Sequence, residues 1–379
     1  SASYPKAARE ARAAAAAQAS PEAPTLAQID RTMAAQQSVM RKQLKWAWCG
    51  LFGLLIALGL PYDLLRSKGF ALWALGIALA LLLLVLAMGT DQGRAARRWL
   101  ELGPISLQPS EFAKFALVIY LAQAMAQMRD RVKRLDRFAR LVAVVGLVSV
   151  LVVIEPHLGA TMVVLGAALA VLWVGGADKR HLGGIMLAAM LLGLLSVSGH
   201  SYQGGRLRAW LHPERDEVLG YQAVHCGTAL ARGGLIGRGI GHSIEKFYYL
   251  PECYTDSVFA IVGEETGLLG TALLLGLFSA FAWRGLRIAA RCPDPFGRLL
   301  AVGVTAVIFL QAMLNMGVTS GLLPQTGVGL PFISYGGSSL CCFMGACGLL
   351  LNVSRLQPPP RERPERARVV ADGRSRYNG

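Results

Sequence analysis

The chain has 379 residues, 54% hydrophobic and only 16% charged, whereas a soluble domain carries about a quarter charged residues, so a water-soluble globule is excluded in favour of a polytopic membrane protein. The formal net charge of +15 does not point to nucleic acid, because the basic residues fall in short segments between apolar runs, as orientation signals do. The seven cysteines show no CxxC or Cys/His ligand spacing, which argues against both a zinc site and a disulfide scaffold; Cys226 and Cys253 share one polar loop and are read as unpaired thiols.

Residues 1–43 are Ala-rich and polar (ARAAAAAQASPEAPTLAQ), without a spanning run, and read as a flexible segment. Apolar runs long enough to cross a bilayer follow at 44–62, 70–89, 110–127, 140–155, 158–175, 182–198, 257–283, 299–322 and 337–353. These nine spans predict an all-α helical bundle, since isolated strands cannot satisfy their backbone in lipid. The connection MRDRVKRLDRFAR, from Met128 to Arg140, holds six basic residues and is therefore cytoplasmic. Counting alternately places Arg66 and Lys68, Lys179 and Arg180, Arg284 to Arg298 and the Arg- and Pro-rich tail 354–379 on that side too. The opposite side receives 1–43, the connection 89–108, a large loop 199–256 and the stretch 323–336. The organisation expected is thus an extracytoplasmic segment 1–43, a bundle 44–353 that includes loop 199–256, and a cytoplasmic tail. An odd number of spans leaves the N-terminus outside with no signal peptide to carry it, which points to a missing upstream helix.

Four polar or Gly/Pro-rich stretches could carry chemistry. In GRAARRWLELGPISLQPSEFAK, Arg98 and Trp99 read as an interfacial patch, and Glu111 and Lys114, three residues apart, share a helical face where they can pair. A membrane-interface belt with a structural ion pair explains the same residues. The second stretch runs from His200 to Asp256, with Arg206, then GYQAVHCGTALARGGLIGRGIG and SIEKFYYLPE. Gly-rich backbone with interspersed Arg and Lys suits phosphate or pyrophosphate, although glycine also simply makes turns; residues 222–231 read as an amphipathic helix along the membrane surface.

The third stretch, YYLPECYTDSVFAIVGEE, puts Asp256 where a polar loop meets an apolar run. Charge at a membrane boundary is costly, and a carboxylate there suits general-base work on a hydroxyl; N-capping by Asp256 or Thr255 is an equal alternative. Lys246 and Glu252 nearby favour a site. In the fourth, LLPQTGVGLPFISYGGSSL, prolines and glycines break any helix, while Ser334, Tyr335, Ser338 and Ser339 offer hydroxyls in an apolar setting. Non-helical backbone at membrane depth is tolerated only where it is buried in protein or lines a cavity.

The stretches ARRWLELGPISLQPSEFAK, YQ…GGLIGRGIGHSIEKFYYLPECYTDSVFAIVGEETGLLG and LLPQTGVGLPFISYGGSSL, in this order and spacing, resemble the SEDS family of cell shape, elongation, division and sporulation proteins, of FtsW and RodA type. The YLPE…TD and TGVGLPFISYGGSSL forms look more like the division branch. The resemblance implies ten membrane helices, the first absent here, and peptidoglycan polymerisation from lipid II at the outer face of the bacterial plasma membrane. It makes Asp256 the base that deprotonates an acceptor sugar hydroxyl, with Arg98, Trp99, Glu111, Lys114, Arg206, Lys246, Glu252, Ser334, Tyr335 and Ser338 around the substrate. It implies as partners lipid II and nascent undecaprenyl-linked glycan, a class B penicillin-binding transpeptidase and other divisome or elongasome membrane proteins. A divalent cation, Mg or Mn, could share the charge of the pyrophosphate, but no ligand spacing demands one. Glu155-Pro156-His157 departs from the Gln-Pro-Asp turn of many members, and Tyr254 and Ser257 replace frequent His and Phe. The alternatives are a lipid II flippase, to which the absence of an internal repeat is mildly contrary, and a non-catalytic scaffold for a transpeptidase.

Overall fold

The computed structural model describes residues 26–89, 98–102, 105–128, 132, 134–155, 157–187, 202–213, 219–248 and 254–356. Glu252, Cys253, residues 1–25 and most of the predicted span 182–198 lie outside these residues. The described chain is helical apart from one antiparallel ribbon, β1 (Leu100–Leu102) with β2 (Ile105–Leu107), in which Leu100 faces Leu107.

Helix α1 (Leu26–Gly59) begins ahead of the span expected from residue 44, because LAQIDRTMAAQQSVMRKQ is built of good helix formers with no Gly or Pro. The short α2 (Tyr62–Arg66) precedes α3 (Lys68–Met88), whose first turn is capped by Ser67 Oγ accepting from Phe70 N at 3.1 Å. Helices α4 (Pro109–Met128), α5 (Leu135–Ile154) and α6 (Leu158–Val174) follow. The large loop is itself partly helical, with α7 (Tyr202–Leu211), α8 (Leu219–Gly233) and the one-turn α9 (Glu245–Tyr248). The chain then crosses back in α10 (Val258–Arg291), α11 (Pro295–Thr319) and α12 (Gly337–Ser354).

Among the described residues, α3, α5, α10, α11 and α12 are long and apolar enough to cross a membrane. Helix α6 is apolar but shorter, and α4 falls short because it carries Glu111, Lys114 and Gln123. Those groups are buried rather than lipid-facing: α4 packs against α3, α6 and α11 at the centre of the bundle, where polar side chains find protein partners. The large apolar side chains of α10, among them Leu269, Leu273, Leu277 and Trp283, point outward, as expected of a helix bathed in lipid.

Helix α10 breaks at Gly267, whose φ of 68° and ψ of −164° lie in a region open to glycine alone. The loop 234–239 fills the break. Leu268 N and Leu269 N donate to Gly234 O and Leu235 O at 2.9 and 3.1 Å, and Arg238 N and Gly239 N donate to Glu264 O and Glu265 O, both at 3.0 Å. Every backbone group freed by the break that these bonds involve is thereby paired.

Two buried acids lock the same region. Glu264 accepts from Ser243 Oγ at 2.5 Å, Ile244 N at 3.1 Å and Glu245 N at 3.3 Å, and so fixes the start of α9. Glu245 in turn holds Arg232 Nη1 at 2.6 Å and His225 Nδ1 at 2.7 Å, both on α8. Helix α8 matches the predicted amphipathic segment, and its buried side contributes Cys226 and Ala229 to a small cluster with Ala260 and Ile261. Cys226 is a free thiol whose pKa burial pushes up to about 11, so it is inert at neutral pH.

Candidate active site

The turn 254–257 enters α10, and three contacts tie it to the non-helical stretch between α11 and α12. Asn315 Nδ2 donates both to Asp256 O at 2.8 Å and to Val328 O at 2.7 Å, so one buried carboxamide joins the two segments. Ser334 Oγ donates to Thr255 O at 2.5 Å while accepting from Leu330 N at 2.6 Å. Tyr335 N donates to Tyr254 O at 2.7 Å. Gln311, one turn before Asn315 on α11, donates from Nε2 to Gly329 O at 3.1 Å. The loop's broken backbone thus has its carbonyls satisfied by α11, which is how irregular chain survives at this depth.

Gly327 marks where charge converges. A Cβ placed on it would lie 3.5 Å from both Arg98 Nη1 and Asp256 Oδ2, and 3.8 Å from Arg206 Nη1. Its φ of 71° is one that side-chain-bearing residues avoid. Two guanidiniums and a carboxylate therefore face one point kept open by the missing side chain. Arg206 is positioned by donating Nη1 to Gln325 O at 3.1 Å, and Arg98 by donating Nε to Glu155 O at 3.0 Å.

The floor is an ion pair. Lys114 Nζ lies 2.7 Å from Glu111 Oε1 and also donates to Gln311 Oε1, while Ser339 Oγ donates to Glu111 Oε2 at 3.1 Å. Lys114 is fully buried and its ammonium sits 5.6 Å above the Phe343 ring. On the far wall Gln222 Nε2 donates to Ser257 Oγ at 2.8 Å, linking α8 to the start of α10.

These groups enclose a cavity of about 180 Å³. Of the residues singled out from sequence, Arg98, Trp99, Glu111, Arg206, Asp256, Ser334 and Tyr335 line it. Lys114 and Ser338 lie buried beside it, Ser338 Oγ accepting from Gln108 N at 3.2 Å. Lys246 stands apart: it lines a neighbouring groove of about 610 Å³ with Met40, Leu44, Tyr254, Val258 and Ile333, its Nζ 3.9 Å from Glu265 Oε1. Tyr335 belongs to both cavity and groove.

Sequence reasoning passed over Gln311, Asn315, Gln222 and Gly327, counted Ser339 only among the hydroxyls of the fourth stretch, and registered His157 only as a departure from a pattern. A signal for two of them existed: Gln311 and Asn315 are polar residues four apart, hence on one face of an otherwise apolar helix. Near them Glu155, in the turn between α5 and α6, is buried with neither carboxylate oxygen bonded to a described residue. Burial pushes its pKa up to about 8, against the opposing pull of Arg98.

Apolar helices around a buried, charge-lined cavity define a multi-pass membrane protein with its site at one end of the bundle. The chain belongs to the cell cycle protein family of FtsW, RodA and SpoVE, which it matches over residues 23–358. It is 37% identical over 325 residues to stage V sporulation protein E of Bacillus subtilis, covering 83% of this chain and 86% of that protein. It is 35% identical over 318 residues to "Probable peptidoglycan glycosyltransferase FtsW" of Trichlorobacter lovleyi, covering 83% of each. Among solved structures it resembles a chain of "Structural coordination of polymerization and crosslinking by a peptidoglycan synthase complex", with a TM-score of 0.72 and 31% identity over 85% of this chain and 91% of that one. It also resembles the rod shape determining protein RodA of Thermus thermophilus, with a TM-score of 0.64 and 30% identity over 85% and 89% of the two chains.

Proposed function

We propose that this protein is a peptidoglycan glycosyltransferase that polymerises lipid II into glycan strands at the outer face of the plasma membrane, with Asp256 as general base. The observation that carries the reading is the convergence of Asp256 Oδ2, Arg98 Nη1 and Arg206 Nη1 beside Gly327. A carboxylate next to guanidiniums is the equipment for deprotonating a hydroxyl while a phosphate ester departs. The adjoining groove, with Met40, Leu44, Val258 and Ile333 on its walls, suits an isoprenoid chain whose head group reaches the cavity past Tyr335. Relatives named as peptidoglycan glycosyltransferases support the same chemistry.

In this mechanism Asp256 accepts the proton of an acceptor sugar hydroxyl as that oxygen bonds to the anomeric carbon of the lipid-linked donor. The bond from that carbon to the diphosphate breaks, and its electron pair leaves on the diphosphate, whose charge Arg98 and Arg206 offset. Glu111, held by Lys114 and Ser339, orients the polar floor. Among the described residues no three His, Cys, Asp or Glu gather as a metal site, and no step here is routed through a divalent cation. The partner is a class B penicillin-binding transpeptidase, in keeping with the likeness to a chain of a peptidoglycan synthase complex; the role is division, on the likeness of the YLPE…TD and TGVGLPFISYGGSSL forms to the division branch.

The test is reconstitution of the chain with its transpeptidase and fluorescent lipid II. Glycan polymer of many disaccharides is expected; lipid II that only crosses the bilayer, with no polymer formed, would establish the flippase reading instead.

A further inference from the structure

His157 is a buried side chain that the mechanism above does not use. It is 2% exposed, yet it lines the cavity with Arg98, Arg206 and Asp256. It is also the N-cap of α6: its Nδ1 accepts from Ala160 N at 3.2 Å. A ring nitrogen that accepts a backbone N–H carries no proton, so the neutral imidazole must be protonated on Nε2. That Nε2–H makes no hydrogen bond to any described residue. Because His157 lines the cavity, that Nε2–H is open to an oxygen acceptor held there.

We infer that His157 donates its Nε2–H to an oxygen of the departing diphosphate, forming with Arg98 and Arg206 an anion subsite at the N-terminus of α6. The inference rests on the glycosyltransferase reading for the identity of the ligand. Its chemistry follows from the surroundings. The first turn of α6, a helix of 17 residues, presents the positive end of its dipole to the cavity. Both neighbouring guanidiniums match phosphate oxygens. The imidazole stays neutral, because burial first, then the charges of Arg98, Lys114 and Arg206, hold its pKa well below 6.5. His157 therefore contributes a fixed donor rather than a titrating charge. Lining the same cavity as the base, it would hold the leaving group while Asp256 receives the acceptor's proton.

The capping and donating roles can be separated by substitution. Asn caps helices as well as any residue, so His157→Asn keeps the bond to Ala160 N, but its carboxamide is too short to cap and reach the diphosphate together. The experiment uses the full chain in nanodiscs, in an Asp256→Asn background so that no donor is consumed, and measures binding of undecaprenyl diphosphate, undecaprenol and lipid II. Adding His157→Asn is expected to weaken undecaprenyl diphosphate about tenfold or more and leave undecaprenol unchanged. His157→Asp, which also caps but offers only an acceptor, should weaken the diphosphate further, and it serves if the Asn variant folds poorly. Equal affinity of either folded variant and its parent for undecaprenyl diphosphate would overturn the inference, as would a loss seen only with lipid II, which would place the contact on its peptide or sugars. Turnover separates this inference from the reading beneath it. If the native chain polymerises lipid II and His157→Asn does so with unchanged KM and kcat, the inference alone fails. If the native chain makes no polymer while His157 still governs diphosphate affinity, glycosyl transfer fails and the anion subsite stands.

Discussion

At Gly327 an absent side chain governs the site: a methyl group there would sit at the point faced by Arg98, Arg206 and Asp256. Gly327→Ala should cost about 1 kcal/mol through its positive φ and reduce kcat/KM by about tenfold or more as the methyl displaces the reacting groups; the two effects are read from a thermal melt and from polymerisation rates. Glu155 makes a pH prediction. Its folded pKa, about 8, lies above the ordinary carboxylate range. A raised pKa means that its contribution to stability is complete below about pH 4 and is lost as pH rises through 8. Glu155→Gln should therefore raise the Tm at pH 9 by about 3 °C and change little at pH 5. Asp256 stood out in the sequence as an acid at a membrane boundary, where base and helix cap were equal readings, and the resemblance to the SEDS family chose the base. Asn315 and Glu155 were not legible in the same way, because the carbonyls that Asn315 joins and the burial that perturbs Glu155 arise only when distant segments fold together.

Most helices follow directly from their apolar runs, and α4 shows why a hydropathy threshold misses a central helix: its Glu111, Lys114 and Gln123 are solvated by protein. The break in α10 was hidden, since the run 257–283 carries no charge except Glu264 and Glu265 and reads as one helix. What breaks it is the loop 234–239, which supplies backbone partners at Gly267. A Cβ on Gly267 would lie 2.4 Å from Gly237 N and 2.6 Å from Leu235 O. Gly267→Ala is expected to destabilise the protein by roughly 2 kcal/mol or more, seen as a lower Tm, and to expose loop 234–239 to protease. A Tm equal to that of the native chain would show that the loop is not needed to hold the break.

For the molecule as a whole, the Lys and Arg pattern proposes a sidedness. The cavity sits where α10 begins and Arg284, Arg287 and Arg291 sit where it ends, so a basic cytoplasmic end would put the cavity outside, as the proposed function requires. A reporter fused after Leu356 should then fluoresce as a green fluorescent protein and stay inactive as alkaline phosphatase; active phosphatase would invert the topology. The central claim is that Asp256 removes a proton from the acceptor hydroxyl. Its most direct test is polymerisation of labelled lipid II by the Asp256→Asn protein in complex with its transpeptidase. The variant is expected to bind its partner and lipid II normally and to form no glycan, a loss of at least about a hundredfold in rate. Polymer made at the native rate would contradict the assignment.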